Sequence, residues 1–201
     1  MDNGQQVEQY LEALAQELDA LGVLTQYHLV ITGGAYLLLH QERKYTEDID
    51  FALIAGARRP MPDQVFRTTV QREEVSSLRS RVPYAAEFKQ GVANVAMDYR
   101  LPLDWMNDEA AEYYYEDAPE IDVAFWRAFG SILFVYLPTA DYVFATKVMA
   151  YRPKDQDDIK LLIQRLDIRT RDEAQEIIDR YVTPQGQQFY EVRKKIKRLF
   201  R

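Results

Sequence analysis

The stretch from His28 to Ile54 constrains this chain most. It sets five elements in fixed order: an apolar run from His28 to Thr32, the pair Gly33-Gly34, a helical run from Ala35 to His40, a polar connection from Glu42 to Thr46, and a second apolar run from Asp48 to Ile54. Each apolar run is short and bounded by polar residues, which predicts two buried strands with a short helix between them. In the second strand, residues two apart share a face. Asp48, Asp50 and Ala52 therefore lie on one side, and Ile49, Phe51 and Leu53 on the other. Aspartate is disfavoured in strands, and two carboxylates on one face, about 7 Å apart along the chain, repel each other unless a cation lies between them. Such a pair suits one or two Mg²⁺ ions serving phosphoryl or nucleotidyl transfer. The alternative is a strand start whose aspartates face water and cap a neighbouring loop.

The glycines bear on that choice. A strand running into Gly33-Gly34 and then a helix exposes backbone N–H groups, which bind phosphate oxygens. Glycine permits close approach and unusual backbone angles. A plain tight turn is the competing reading of the glycines taken alone, and the ordered combination with Asp-x-Asp is more specific than either part.

The rest of the chain reads mainly as helix. Val7, Tyr10, Leu11, Leu14, Leu18 and Leu21 recur at helical spacing, with a stop near Gly22. A helix is predicted from about Pro62 to Arg81, with proline near its first turn. Short helices are expected over Gly91 to Tyr99 and Asn107 to Tyr115, and a strand over Ser131 to Leu137. Helices follow over Ala140 to Tyr151, broken by Pro153, and over Asp155 to Leu166. Thr170-Arg-Asp-Glu173 matches a capping box, and Thr183-Pro184 opens a last helix running into the basic end. The expected class is α/β (α+β): a small mixed sheet with a helical C-terminal half. Residues 1–138 read as a minimal domain with an N-terminal helix, and 139–201 as a helical region packed on it.

Composition narrows the chemistry. The chain has 201 residues, 47% of them hydrophobic and 28% charged, enough for a sizeable core. It has no cysteine and only two histidines, His28 and His40. Disulfides, thiolate metal sites and cysteine catalysis are excluded, and any metal is expected on oxygen ligands, as Mg²⁺ or Mn²⁺. The net charge of -7 is uneven. Residues 193–201 carry six basic groups and no acid, while residues 101–126 carry eight acids and no base. Only the C-terminal end is expected to attract a polyanion. The N-terminal MDNGQQVEQY lacks the pattern of a signal peptide, and no apolar stretch suits a membrane span, so a cytoplasmic protein without a membrane partner is expected.

Lys147 stands alone among the apolar residues of Tyr142 to Tyr151. Lysine is rarely buried without a partner. Either a carboxylate or a ligand phosphate meets it, or its ammonium snorkels to solvent. Around Pro153 lie Arg152, Lys154, Asp155, Asp157 and Asp158. Asp155 is expected to cap the next helix, while Asp158 is open between a place in the first helical turn and one near Lys147. Arg43, beside Lys44 and Thr46, either holds a triphosphate by paired hydrogen bonds or sits in a solvated loop. Trp105, in the DWMND run, is expected to be a packing anchor.

The run ITGGAYLLLHQERKYTEDIDF resembles the opening of the nucleotidyltransferase-fold superfamily, in which a Gly-Gly or Gly-Ser turn precedes Asp-x-Asp. Within it the chain is similar to the AbiEii-type toxins of type IV toxin–antitoxin systems and to allied bacterial nucleotidyltransferase-like proteins. These share a Lys-x-x-Ala element, here Lys147 to Ala150, and an Arg/Lys-Asp-x-x-Asp-Ile element, here Lys154 to Ile159. The loop LPLDWMNDEA also resembles the allied group. The shared motifs span roughly residues 30 to 168. The resemblance implies a metal-dependent transfer of a nucleotide from an NTP to a hydroxyl acceptor, RNA or tRNA among the acceptors, with an antitoxin protein as a further partner. It implies that Gly33 and Gly34 face the phosphates, with Arg43 and Thr46 beside them. Asp48 and Asp50 would hold the metals, and Lys147 and Asp158 would complete the site. Many members carry a third carboxylate on a later strand, for which Asp104, Asp108 and Asp122 are the candidates. A catalytically degenerate nucleotide- or partner-binding protein of the same fold is the alternative.

Overall fold

The computed structural model describes residues 1–56, 64–76 and 81–200. Its frame is one mixed sheet of six strands in the order β3-β5-β6-β1-β2-β4. The strands are β1 (Tyr27–Ile31), β2 (Ile49–Leu53), β3 (Val65–Thr69), β4 (Met106–Asn107), β5 (Glu120–Phe129) and β6 (Leu133–Pro138). The helices are α1 (Gly4–Ala20), α2 (Gly33–Leu39), α3 (Ala85–Tyr99), α4 (Ala111–Asp117), α5 (Ala140–Ala150), α6 (Gln156–Arg165), α7 (Arg171–Tyr181), α8 (Pro184–Phe189) and α9 (Val192–Leu199), with a 3₁₀ turn at Pro153–Asp155. The mixed α/β class read from the sequence is the one observed. Among the described residues, no helix is long and apolar enough to cross a membrane.

Strand direction assembles the site. β1 pairs with β2 antiparallel, Ile31 opposite Phe51, and the Thr32 amide donates to the Asp50 carbonyl at 2.9 Å. The end of β1, where the glycines begin, therefore lies beside the start of β2, where the aspartates are. β4 runs parallel to β2 and sets Asn107 opposite Asp50.

The period-two pattern of β2 splits the core. Ile49, Phe51 and Leu53 join α1 and α3 in the apolar layer on one face, with Leu11, Leu14, Phe88 and Trp105. Ala52, on the side of Asp50, joins the layer formed with α4 to α7 and α9 on the other face. Trp105 is fully buried and its Nε1 donates to the Val92 carbonyl at 2.9 Å, so it anchors packing as expected.

Four sequence expectations need correction. The helix expected over Pro62 to Arg81 is not formed in its described part, where Val65–Thr69 is strand β3, paired antiparallel with β5. Residues 62–63 and 77–80 of that span lie outside the described residues. Alternation and β-branching in Val-Phe-Arg-Thr-Thr outweighed the helix-start signal of proline. Strand β5 itself was not expected: the buried Ile121 and Val123 alternate with Glu120 and Asp122, but the acid-rich flank hid the alternation. The expected helix over Asn107 to Tyr115 starts only at Ala111, because Asn107 belongs to β4. The last helix is two, since Glu191 at φ 51° interrupts the chain between α8 and α9.

Candidate active site

The glycine corner and the aspartate pair are in direct contact. Gly33 has φ +63°, and a Cβ built on it would fall 2.1 Å from Asp50 Oδ2. Only glycine suits that backbone angle and leaves room for that carboxylate. A Cβ on Gly34 would lie 2.5 Å from Thr46 Oγ1 and 2.7 Å from Arg43 Nη1. The buried Thr46 hydroxyl donates to the Asp48 carbonyl at 3.1 Å, so it braces the chain where β2 starts. Helix α2 has only seven residues. Its dipole is correspondingly small.

Asp48 and Asp50 line a cleft of about 530 Å³. A smaller recess of about 180 Å³, reached by Gly34, Arg43 and Thr46, shares Asp48, Asp50, Lys147, Arg152 and Lys154 with it. Among the described residues, no hydrogen bond or ion pair reaches either side-chain carboxylate. Burial, then the neighbouring Asp48, push the Asp50 carboxyl above its ordinary value, and Arg152, Lys154 and Lys147 oppose that rise. This is a site short of positive charge at the carboxylates themselves.

Lys147 is buried and paired with two carboxylates. Its Nζ donates to Asp158 Oδ2 at 2.8 Å and to Asp155 Oδ1 at 3.1 Å. The snorkelling alternative is thereby excluded, and the first-turn and near-lysine readings of Asp158 are both met, since it opens α6 and faces Lys147. Arg43 Nη1 reaches the same Asp158 oxygen at 3.4 Å, so Arg43 is part of this network as well as of the recess wall. Asp155 does not cap α6 with its side chain; its carboxylate turns back to Lys147 and to Arg152 Nε at 2.7 Å. Burial raises the Asp155 carboxyl, but the hydrogen bond from Arg152 and the charge of Lys147 outweigh it and hold the group below its ordinary value. Tyr151, at φ 54°, ends α5 and turns Arg152 and Lys154 to the cleft rim.

The candidates for a third acid separate cleanly. Asp108 is buried elsewhere, accepting from the Val75 and Ser76 amides at 2.5 and 3.0 Å and from the Ser76 hydroxyl. Asp122 is held by Arg67 through two 2.8 Å contacts and by the Tyr181 hydroxyl at 2.9 Å. Asp104 alone of the three lines the cleft, together with Asn107 and Glu109. Among the described residues, no three acidic or histidine side chains stand close enough to form a metal cluster. Both histidines are engaged outside the cleft, His28 with the Tyr136 hydroxyl and His40 with the Tyr36 carbonyl. Two unpaired carboxylates still fit Mg²⁺, which commonly takes one or two protein carboxylates and fills its octahedron with substrate oxygens and water.

Sequence reasoning missed the aromatic wall. Tyr113, Tyr114 and Tyr190 line the cleft, and the Tyr114 hydroxyl lies 3.4 Å from that of Thr32. The run Tyr113-Tyr114-Tyr115 was the available signal, but nothing in the sequence alone brings Tyr190 to it. Comparison of the chain with protein families, with curated proteins and with solved structures finds no match.

Proposed function

We propose that the cleft is the active site of a metal-dependent nucleotidyltransferase, in keeping with the resemblance of its motifs to the nucleotidyltransferase-fold superfamily. One observation carries this reading: two carboxylates without protein partners meet a glycine corner in a cleft whose rim holds Arg152 and Lys154. An acceptor hydroxyl oxygen gives its proton to solvent and bonds to the α-phosphorus of an NTP, the bond from that phosphorus to the oxygen bridging to the β-phosphate breaks, and pyrophosphate leaves. Asp48 and Asp50 would hold Mg²⁺ or Mn²⁺, which activates the attacking oxygen and offsets charge on the leaving group. Arg152 and Lys154 bind the triphosphate by charge-assisted hydrogen bonds. Lys147 offers the ligand the one N–H its two aspartates leave free, and Asp155 and Asp158 keep that ammonium in place. Gly33 and Gly34 let the phosphates approach the backbone.

Incubation with radiolabelled NTPs, Mg²⁺ and total RNA tests the reading. Labelled acceptor is expected from the wild type and not from Asp48→Ala or Asp50→Ala; labelling that survives both changes refutes the assignment.

A second reading has its own support: among the described residues, no third acid or histidine forms a cluster with Asp48 and Asp50. A degenerate relative would bind a nucleotide without turning it over. Calorimetry with ATP and Mg²⁺ beside the labelling assay separates the two, since tight binding without product favours the second. RNA or an acidic antitoxin suits the outer face of α9, where Arg193, Lys194, Lys197 and Arg198 are exposed.

A further inference from the structure

The cleft has two chemically distinct ends. Lys147, Arg152 and Lys154, the cations of the wall, line both the large cleft and the small recess with Asp48 and Asp50, whereas Tyr113, Tyr114, Tyr190 and Ala110, beside Asp104, Asn107 and Glu109, line the large cleft only. A triphosphate therefore belongs toward the shared, charged end. The part that the recess does not share includes two rings in edge contact, Tyr113 and Tyr190, with centroids 5.1 Å apart. The Tyr113 hydroxyl is buried and, among the described residues, has no hydrogen-bond partner. A buried hydroxyl without a partner is unfavourable, and this one belongs to a residue of the cleft wall. Lys195 lies 5.6 Å from the Tyr190 ring centroid and 5.8 Å from that of Tyr151, which holds Tyr190 against the end of α5.

Resting on the transferase reading, we infer that the Tyr113–Tyr190 end of the cleft is the nucleobase subsite: the base lies against the tyrosine rings and its polar edge accepts a hydrogen bond from the Tyr113 hydroxyl. Aromatic rings stack any base, while a single buried donor discriminates between base edges. Burial raises the Tyr113 hydroxyl's pKa, so it stays protonated and able to donate at neutral pH. Specificity for one nucleotide then comes from Tyr113, and general affinity for bases from Tyr190.

Calorimetry with ATP, GTP, CTP, UTP and inorganic tripolyphosphate, each with Mg²⁺, tests this on the full chain. The wild type is expected to bind one NTP more tightly than the others and all of them more tightly than tripolyphosphate. Tyr113→Phe is expected to lower affinity for the preferred NTP by roughly three- to tenfold and to narrow the spread among NTPs. Tyr190→Ala is expected to weaken every NTP by roughly tenfold. Neither change is expected to alter tripolyphosphate binding. NTP binding that depends on Asp50 but ignores both tyrosines overturns the subsite and leaves the transferase reading standing. Equal losses for NTPs and tripolyphosphate also overturn it, by showing a general disturbance of the cleft. Absence of any NTP binding to the wild type removes both readings together.

Discussion

At residue 33 a methyl group has nowhere to go. Gly33→Ala places a Cβ against the Asp50 carboxylate on a backbone of positive φ, so we expect a loss of about 1–3 kcal/mol in stability and a displaced Asp50, read as a lower melting temperature with no labelling activity. Asp50 itself gives a prediction of opposite sign. Its folded pKa lies above the ordinary value because of burial and Asp48. Such a group contributes stability that is present below the ordinary carboxylate value and is lost as pH rises through the folded value. At neutral pH the ionised Asp50 is therefore a cost to the ligand-free protein. Asp50→Asn should abolish activity yet raise the melting temperature at pH 7, by roughly 2–4 °C for each kcal/mol relieved, with the gain shrinking toward pH 4. The Asp pair was legible in the sequence because period two fixes a shared face. The fates of Asp108 and Asp122 were not, because their partners, Ser76 and Arg67, lie far along the chain.

Helices α5 and α6 are joined by a buried ion network rather than by apolar contact alone. Lys147→Met leaves Asp155 and Asp158 without their common cation, and we expect a loss of about 3–5 kcal/mol in chemical denaturation. The pH dependence there runs opposite to that of Asp50. Asp155 has a lowered folded pKa, so its contribution is complete above the ordinary carboxylate value and disappears as pH falls through the lowered one; Asp155→Asn should flatten the acid limb of the stability profile. Helix α7 starts as its sequence dictates, with the Glu173 amide donating to Thr170 Oγ1 at 3.2 Å and the Thr170 amide to Glu173 Oε2 at 3.1 Å. Thr170→Ala should cost about 1 kcal/mol. Elements with strong local signals were readable: the capped helix α7, the apolar helix α5 and the strands flanking Gly33-Gly34. β3 and β5 were not, because β3 is an edge strand held by β5 and β5 lies between β3 and β6, and a pairing partner is not a local property.

Across the whole molecule, the C-terminal helices share one apolar layer with the sheet. Val30 and Ala52 belong to the same cluster as Ile177, Val192 and Ile196. The basic α9 is therefore amphipathic and docked, and Ile196→Ala should cost about 2–5 kcal/mol. Charge reversal at Arg193, Lys194, Lys197 and Arg198 is then the sound way to probe an RNA or acidic partner: it should weaken binding and flatten its salt dependence without the unfolding that truncation invites. Helical character in this half was legible from spacing and caps, but its closure over the sheet was not, since apolar periodicity shows that a face is buried without showing against what. The arrangement also sets an order of events during synthesis. The carboxylates and glycines leave the ribosome before Arg152 and Lys154, and these before Tyr190. A nascent chain thus carries an unfinished cleft until Tyr190 has emerged.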